Sequence, residues 1–166
     1  MTPEPKKRDL IFTRVFDVSA EALWRAWTEA ELVMRWWGPA GFTSPSAKMD
    51  VREGGTSIVC MRAPEWLGGQ DMYSAWRYAR IVPLERIEYI HNLSDSNGTT
   101  VDPVQLGMPP DFPRDVRNLV TFKDLGNGKT ELVVTEFDWP EGQMMELSKV
   151  GMEQCLDKMA AIFGKK

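Results

Sequence analysis

Apolar residues recur at spacings of three and four from Met144 to Phe163, and no other part of the chain keeps that period for so long. Met144, Met145, Leu147, Met152, Cys155, Leu156, Met159, Ile162 and Phe163 make the stripe of one long helix. Asp138, Pro140 and Glu141 offer its entry: a capping oxygen, a ring with preset φ, and negative charge at the positive end of the dipole. Gly164 offers its stop, and Lys165 and Lys166 face its negative end. At roughly 1.5 to 3 kcal/mol per buried large apolar side chain, before the entropy of ordering, this stripe suffices for the spine of a core. Gly151 and Cys155 place small residues mid-helix, and four of the large residues are methionines, which adapt to irregular neighbours more than they fix one packing. That mixture suits a helix that faces a cavity as well as a core.

Upstream, the pattern is that of strands. Asp9 to Val18 reads as a strand with imperfect alternation, which leaves its inner face open. Ser19 caps a short helix through Leu23, Trp24 and Ala26, and Thr28 with Glu31 has the spacing of a capping box for a second. Leu32, Val33, Trp36 and Trp37 fall on one face of that second helix, before Gly38-Pro39 breaks it. Ala47 to Arg52 and Thr56 to Arg62 then pair around Gly54-Gly55, and Met72 to Val82 pairs with Arg86 to Asn92 around Pro83-Leu84-Glu85. Pro64 to Asp71, with Trp66, is a loop between the two pairs. Ser94 to Asp115 holds four prolines with Val104, Leu106, Met108 and Phe112, a loop long enough to be a lid or a mobile insertion. Arg117 to Leu125 and Lys129 to Asp138 turn at Asn127-Gly128, the preferred dipeptide of a two-residue hairpin. The order predicts an α+β fold: a curved antiparallel sheet of about seven strands around a long C-terminal helix, with two short helices after strand one.

Composition narrows the class. The 166 residues, 43% hydrophobic and 27% charged, fit one globular domain over residues 9–164 behind a tail of residues 1–8. A net charge of -4 argues against a nucleic-acid surface, and the Lys6-Lys7-Arg8 run reads as a solvated tail. No apolar run reaches the roughly 18 residues of a membrane span. Residues 1–8 are too polar and short for a signal peptide, and two cysteines far apart suit a reducing cytoplasm.

Candidate chemistry is sparse. One histidine and two distant cysteines form no metal-ligand cluster, and nothing calls for a cofactor. Gly128-Lys129-Thr130 imitates the end of a phosphate-binding loop, but Lys123 stands where that loop needs glycine. His91 shares a strand face with Ile87 and Tyr89, so it reads either as a cavity base or as an ordinary strand histidine. Cys60 and Cys155 read as small core hydrophobes that could approach each other across the core. Arg14, Arg62, Arg77 and Arg80 read as solvent-facing strand residues. Arg62 is the exception to watch, because Ile58 and Cys60 share its parity. The aromatic set Trp36, Trp37, Trp66, Trp76, Tyr89, Phe122 and Trp139, with Met72, Met144, Met145 and Met152, resembles the lining of a pocket for a small apolar molecule, or a core.

Several runs carry a family likeness: Leu23-Trp24-Arg25-Ala26-Trp27-Thr28, Leu32-Val33-Met34-Arg35-Trp36-Trp37-Gly38-Pro39, Asp50-Val51-Arg52-Glu53-Gly54-Gly55, Ile81-Val82-Pro83-Leu84-Glu85-Arg86-Ile87, and Gly151-Met152-Glu153-Gln154-Cys155-Leu156-Asp157-Lys158-Met159. Over nearly its whole length the chain resembles bacterial homologues of the activator of heat-shock protein 90 ATPase. That family belongs to the SRPBCC superfamily, with START lipid-transfer domains, birch-pollen-type allergens and polyketide cyclases. The resemblance implies a helix-grip fold with a cavity between the long helix and the sheet. Its wall candidates are Trp36, Trp37, Cys60, Arg62, Met72, Trp76, Tyr89, His91, Phe122, Met144, Met152 and Cys155. The chain departs from the family at Met152, where relatives commonly carry tryptophan, and in the length of the Ser94 to Asp115 loop. Three functions are then in view. The first is binding of a small hydrophobic molecule. The second is a cyclase- or hydrolase-like reaction using His91, Arg62 and Tyr89. The third is a chaperone partner, as the family name implies. An exposed tryptophan edge at Trp36 and Trp37 would suit a homodimer.

Overall fold

In the computed structural model, which describes residues 6–163, the chain forms strand β1 (Lys7–Phe16), helices α1 (Ala20–Thr28) and α2 (Ala30–Trp36), strands β2 (Ala47–Lys48), β3 (Thr56–Arg62), β4 (Asp71–Val82), β5 (Arg86–Ser94), β6 (Val116–Gly126) and β7 (Lys129–Pro140), and helix α3 (Gln143–Phe163). The strands hydrogen-bond in the order β1-β7-β6-β5-β4-β3-β2, every pair antiparallel. The two short helices carry the chain from one edge of the sheet to the other, and the meander returns it to pair its last strand with its first. This is the α+β helix-grip arrangement, with α3 laid across the inner face of a curved sheet. Gly164, Lys165 and Lys166, read as the end of the helix, lie outside the described residues.

Local chemistry explains most boundaries. Ser19 Oγ accepts the Ala22 amide at 3.1 Å and opens α1. Asn127 and Gly128 both take positive φ, 56° and 75°, the pair of left-handed residues a two-residue hairpin requires. At Gly55 a Cβ would lie 2.5 Å from the Asp50 carbonyl oxygen, so only glycine fits that turn.

Four boundaries differ from the sequence reading. The Thr28 hydroxyl donates to the Trp24 carbonyl at 2.9 Å instead of capping, so α2 starts after Glu29, which makes no side-chain cap. The Ala47 to Arg52 strand shrinks to two residues. The supposed tail is already sheet from Lys7, which pairs with Pro140, and Arg8 reaches Glu141 and Glu146 at 3.7 Å. That pairing prolongs β7 past Asp138, whose φ is 59° and whose amide donates to Asp9 Oδ1 at 3.0 Å. Asp138 therefore belongs to a strand, and α3 begins at Gln143.

The core lies between the sheet, α3 and the short helices. Leu10, Phe12 and Phe16 of β1 point inward, while Ile11 and Val15 face out, 63% and 54% exposed. Arg14 shares the inward parity and clamps α3 to the sheet edge: Nη2 lies 3.0 Å from Glu153 Oε1 and 2.8 Å from Asp157 Oδ1. This corrects its reading as a solvent residue and explains the broken alternation of β1. A tryptophan cluster fills the end of the core under α2. Trp36 packs on Trp27 at 4.7 Å between ring centroids, and Trp76 stacks on Tyr89 at 5.0 Å. Trp36 Nε1 donates to the Ala26 carbonyl at 2.7 Å. Trp36 is fully buried and Trp37 half-buried, so the edge read from the sequence as exposed is largely core.

Candidate functional site

Between α3 and the inner face of the sheet lies a cavity of about 260 Å³. Helix α3 contributes Met144, Leu147, Ser148, Gly151, Met152 and Cys155, one face at spacings of three and four. The sheet contributes every second residue of its central strands: Met72 and Ser74 of β4, Tyr89, His91 and Leu93 of β5, Val116 and Asn118 of β6, and Glu136 of β7. Met61 of β3, Trp37, Gly38 and Pro39 beyond α2, and Trp139 close the ends. Met108 and Phe112 come from the long loop before β6 and complete the mouth, Phe112 standing edge-on to Trp139 at 5.8 Å. That loop is tied to the sheet where the Asn92 amide and the Asp115 side chain and backbone exchange two hydrogen bonds of 2.9 and 2.8 Å, and it is braced internally by Arg114 with Asp102 at 2.8 Å.

Of the twelve residues expected at the cavity, Trp37, Met72, Tyr89, His91, Met144, Met152 and Cys155 line it. Trp76, Trp36 and Phe122 sit behind it as core, Phe122 held edge-on by Trp24 at 5.1 Å. Cys60 and Arg62 are on the opposite side of the sheet. They share the parity of Ile58, as expected, but it is the outer parity. Cys60 is buried there because the segment before β2 covers it: its amide donates to the Ser46 carbonyl at 3.0 Å, and Ser44 Oγ donates to its carbonyl at 2.6 Å. Arg62 is exposed and forms two bonds with Asp71, at 2.7 and 3.1 Å. Cys60 and Cys155 are therefore separated by the sheet, and the proton-transfer set of His91, Arg62 and Tyr89 does not assemble. Trp66, counted among the pocket aromatics, is 79% exposed on its loop.

The polar groups of the cavity form a row. Tyr89 pairs in register with Asn118, and Asn118 with Glu136, so these side chains stand side by side on the inner face of β5, β6 and β7. Glu136 Oε1 accepts the indole N–H of Trp139 at 2.9 Å, and the Asn118 amide donates to the Val116 carbonyl at 3.1 Å. Burial pushes the Glu136 carboxyl up to about 7, the Trp139 bond pulling the other way. Burial also holds His91 down at about 4, so its ring is neutral at ordinary pH, and its side chain makes no hydrogen bond among the described residues. The Tyr89 hydroxyl and the Cys155 thiol are driven upward by the same desolvation, the thiol to about 11, which makes Cys155 an inert wall residue. The surface that His91 and Glu136 keep accessible faces the cavity. Glu136 was missed in the sequence because an acid in a strand reads as solvent-facing. The signal was its parity with the buried Thr130, Leu132 and Val134.

Among the described residues no three of His, Cys, Asp or Glu come close enough to hold a metal ion, and no helix is long and apolar enough to cross a membrane.

The sequence matches the family described as "Activator of Hsp90 ATPase homolog 1-like protein" over residues 17–164. The chain belongs to that family. No curated protein matches it in sequence. Among solved structures it resembles protein CV1439 from Chromobacterium violaceum, with a TM-score of 0.75 and 24% identity over 95% of this chain and 98% of that one. A protein from Staphylococcus epidermidis matches with a TM-score of 0.72 and 24% identity over 96% and 92% of the two chains. The AHSA1 protein from Silicibacter pomeroyi matches with 0.73 and 19% over 94% and 97%. At these identities the neighbours share the fold. Membership and fold together support a domain of the ligand-binding type.

Proposed function

We propose that this member of the family binds a small hydrophobic or aromatic molecule in the cavity between α3 and the sheet. The observation that carries the reading is the make-up of the wall. Five of the ten methionines, Met61, Met72, Met108, Met144 and Met152, converge on this one space. With Trp37, Tyr89, Phe112 and Trp139, they leave only a few polar groups to orient a guest. Adaptable thioethers around a preformed void are what a binding pocket needs and a tightly specified core does not.

Titration of tryptophan fluorescence and ligand-observed NMR against lipids, phenols and polyketide-like compounds is expected to find binders that compete for one site; no binder in such a set would sink the reading. Met152→Trp is the matching variant. A larger side chain in a well-packed core costs about 1–3 kcal/mol. Here the cavity takes up the indole, so the variant should lose less than about 1 kcal/mol of stability in urea denaturation and lose ligand binding. Full destabilisation with binding retained would contradict the placement.

A catalytic reading of the same cavity, of the cyclase or hydrolase kind, draws its support from Glu136, a buried carboxyl poised near neutral pH where proton transfer is efficient. It predicts that a bound compound is consumed, which the same NMR titration registers as new product signals. Stable spectra of every binder would count against it.

A further inference from the structure

Among the described residues the cavity is lined by one carboxyl group and no cation. Glu136 is its single acid, and neither lysine nor arginine is among the described residues that line it. Basic groups near its walls are engaged elsewhere, Arg8, in register with Trp139, by Glu141 and Glu146. The Lys158 ammonium, on the helix that carries Cys155, donates to the Phe42 carbonyl at 2.8 Å, and Arg14 holds Glu153 and Asp157. Glu136 Oε1 takes the Trp139 indole N–H, while Oε2 has no partner among the described residues. Its in-register neighbour Asn118 has already given an amide hydrogen to Val116. A guest that brought a carboxylate would bury a second negative group beside the first with nothing to neutralise either. A guest that brought an ammonium would supply the missing partner, in a cavity also lined by the aromatic rings of Trp139, Tyr89 and Phe112.

We propose that the guest of this cavity is a hydrophobic amine, its ammonium paired with Glu136 and its apolar body lodged among the methionines and aromatic rings. The proposal rests on the reading that the cavity binds a ligand at all, and it names that ligand's polar group. The titratable groups facing Glu136 do not compete for the role. Tyr89 and His91 on β5 and Cys155 on α3 are all neutral at pH 7, and the β6 residues at the cavity, Val116 and Asn118, do not titrate. Because burial holds Glu136 near half-protonated at pH 7, seating an ammonium there also releases about half a proton to solvent.

Three probes with one aromatic body test it by calorimetry on the full chain at pH 7: 1-naphthylmethylamine, 1-naphthylmethanol and 1-naphthoate. The amine is expected to bind at least about tenfold tighter than the alcohol, with naphthoate weakest, because a charge-assisted bond is stronger than a neutral one. The amine's heat should vary with the buffer's ionisation enthalpy as a proton is released. In Glu136→Gln the amine should lose its advantage and fall to the level of the alcohol. Naphthoate binding as well as the amine, or an amine preference that survives Glu136→Gln, overturns the proposal while the alcohol's binding keeps the cavity reading alive. Failure of all three to bind overturns both. Should the variant fold poorly, the order of the three probes and the proton release on the unaltered protein decide alone.

Discussion

Trp76→Ala is expected to remove about 3–5 kcal/mol of stability, the cost of truncating a large buried aromatic, from a total that for a domain of this kind is about 5–15 kcal/mol. Trp76 is 1% exposed and is the ring on which the others depend. It stacks on Tyr89 at 5.0 Å, lies nearly parallel to Trp36 at 6.4 Å, and receives Trp37 edge-on at 5.2 Å. Its own indole nitrogen, like those of Trp27 and Trp37, is buried without a hydrogen-bond partner among the described residues, so apart from the Trp36 bond to Ala26 the cluster holds through ring contacts and apolar burial. Removal leaves a void under two cavity residues, Tyr89 and Trp37, and should therefore weaken ligand binding as well. Urea denaturation measures the first effect, with Trp66→Ala as the control. Trp66 is exposed, and its loss should stay within about 0.5 kcal/mol. Equal effects of the two substitutions would contradict the packing described.

A second large effect is hidden in the unaltered protein and emerges in variants. His91, held at about 4 in the fold against 6.5 for the free group, stays neutral where the unfolded chain takes up a proton. Stability from this source is full above about 6.5 and is lost as pH falls to about 4. Glu136, at about 7 in the fold against 4.5, keeps a proton that the unfolded chain has released. Its contribution is present below about 4.5 and is lost as pH rises through about 7. Each amounts to roughly 3 kcal/mol, and between pH 4.5 and 6.5 they run in opposite directions and largely cancel. His91→Gln should expose the Glu136 slope, with stability falling from pH 4.5 to 7. Glu136→Gln should expose the His91 slope, with stability rising from pH 4 to 6.5. Denaturation series on the three proteins check this, the unaltered chain subtracting the background of other carboxylates. Two variants with the same pH profile as the parent would show that these side chains are solvated.

Particular residues show why the sequence was legible in some places and not in others. The Asn127-Gly128 hairpin, the Ser19 cap and the bounds of β3 were readable because each is decided by chemistry within a few residues. The start of α3 was misread because Asp138 and Pro140 look like helix-entry residues, whereas pairing of Trp139 and Pro140 with β1, more than a hundred residues away in sequence, holds the segment in the sheet, with Asp138 left-handed at the irregularity. Cys60 and Arg62 were misplaced for a similar reason. Alternation tells which residues share a face, whereas the loop that buries Cys60 on the outer face is a tertiary event. The wall of the cavity on α3 was legible from its period and its methionines. Glu136 and Asn118 were not, because a polar residue with inward parity is judged against the prior that polar strand residues face water.

If the void between α3 and the sheet is a binding site, the methionines that surround it report on it directly. In a methyl-labelled methionine NMR titration with 1-naphthylmethanol, the signals of Met61, Met72, Met108, Met144 and Met152 should move together and saturate with one affinity. Met159, fully buried away from the lining, should stay in place. Shifts confined to residues outside the lining, or none at all at saturating probe, would contradict the account.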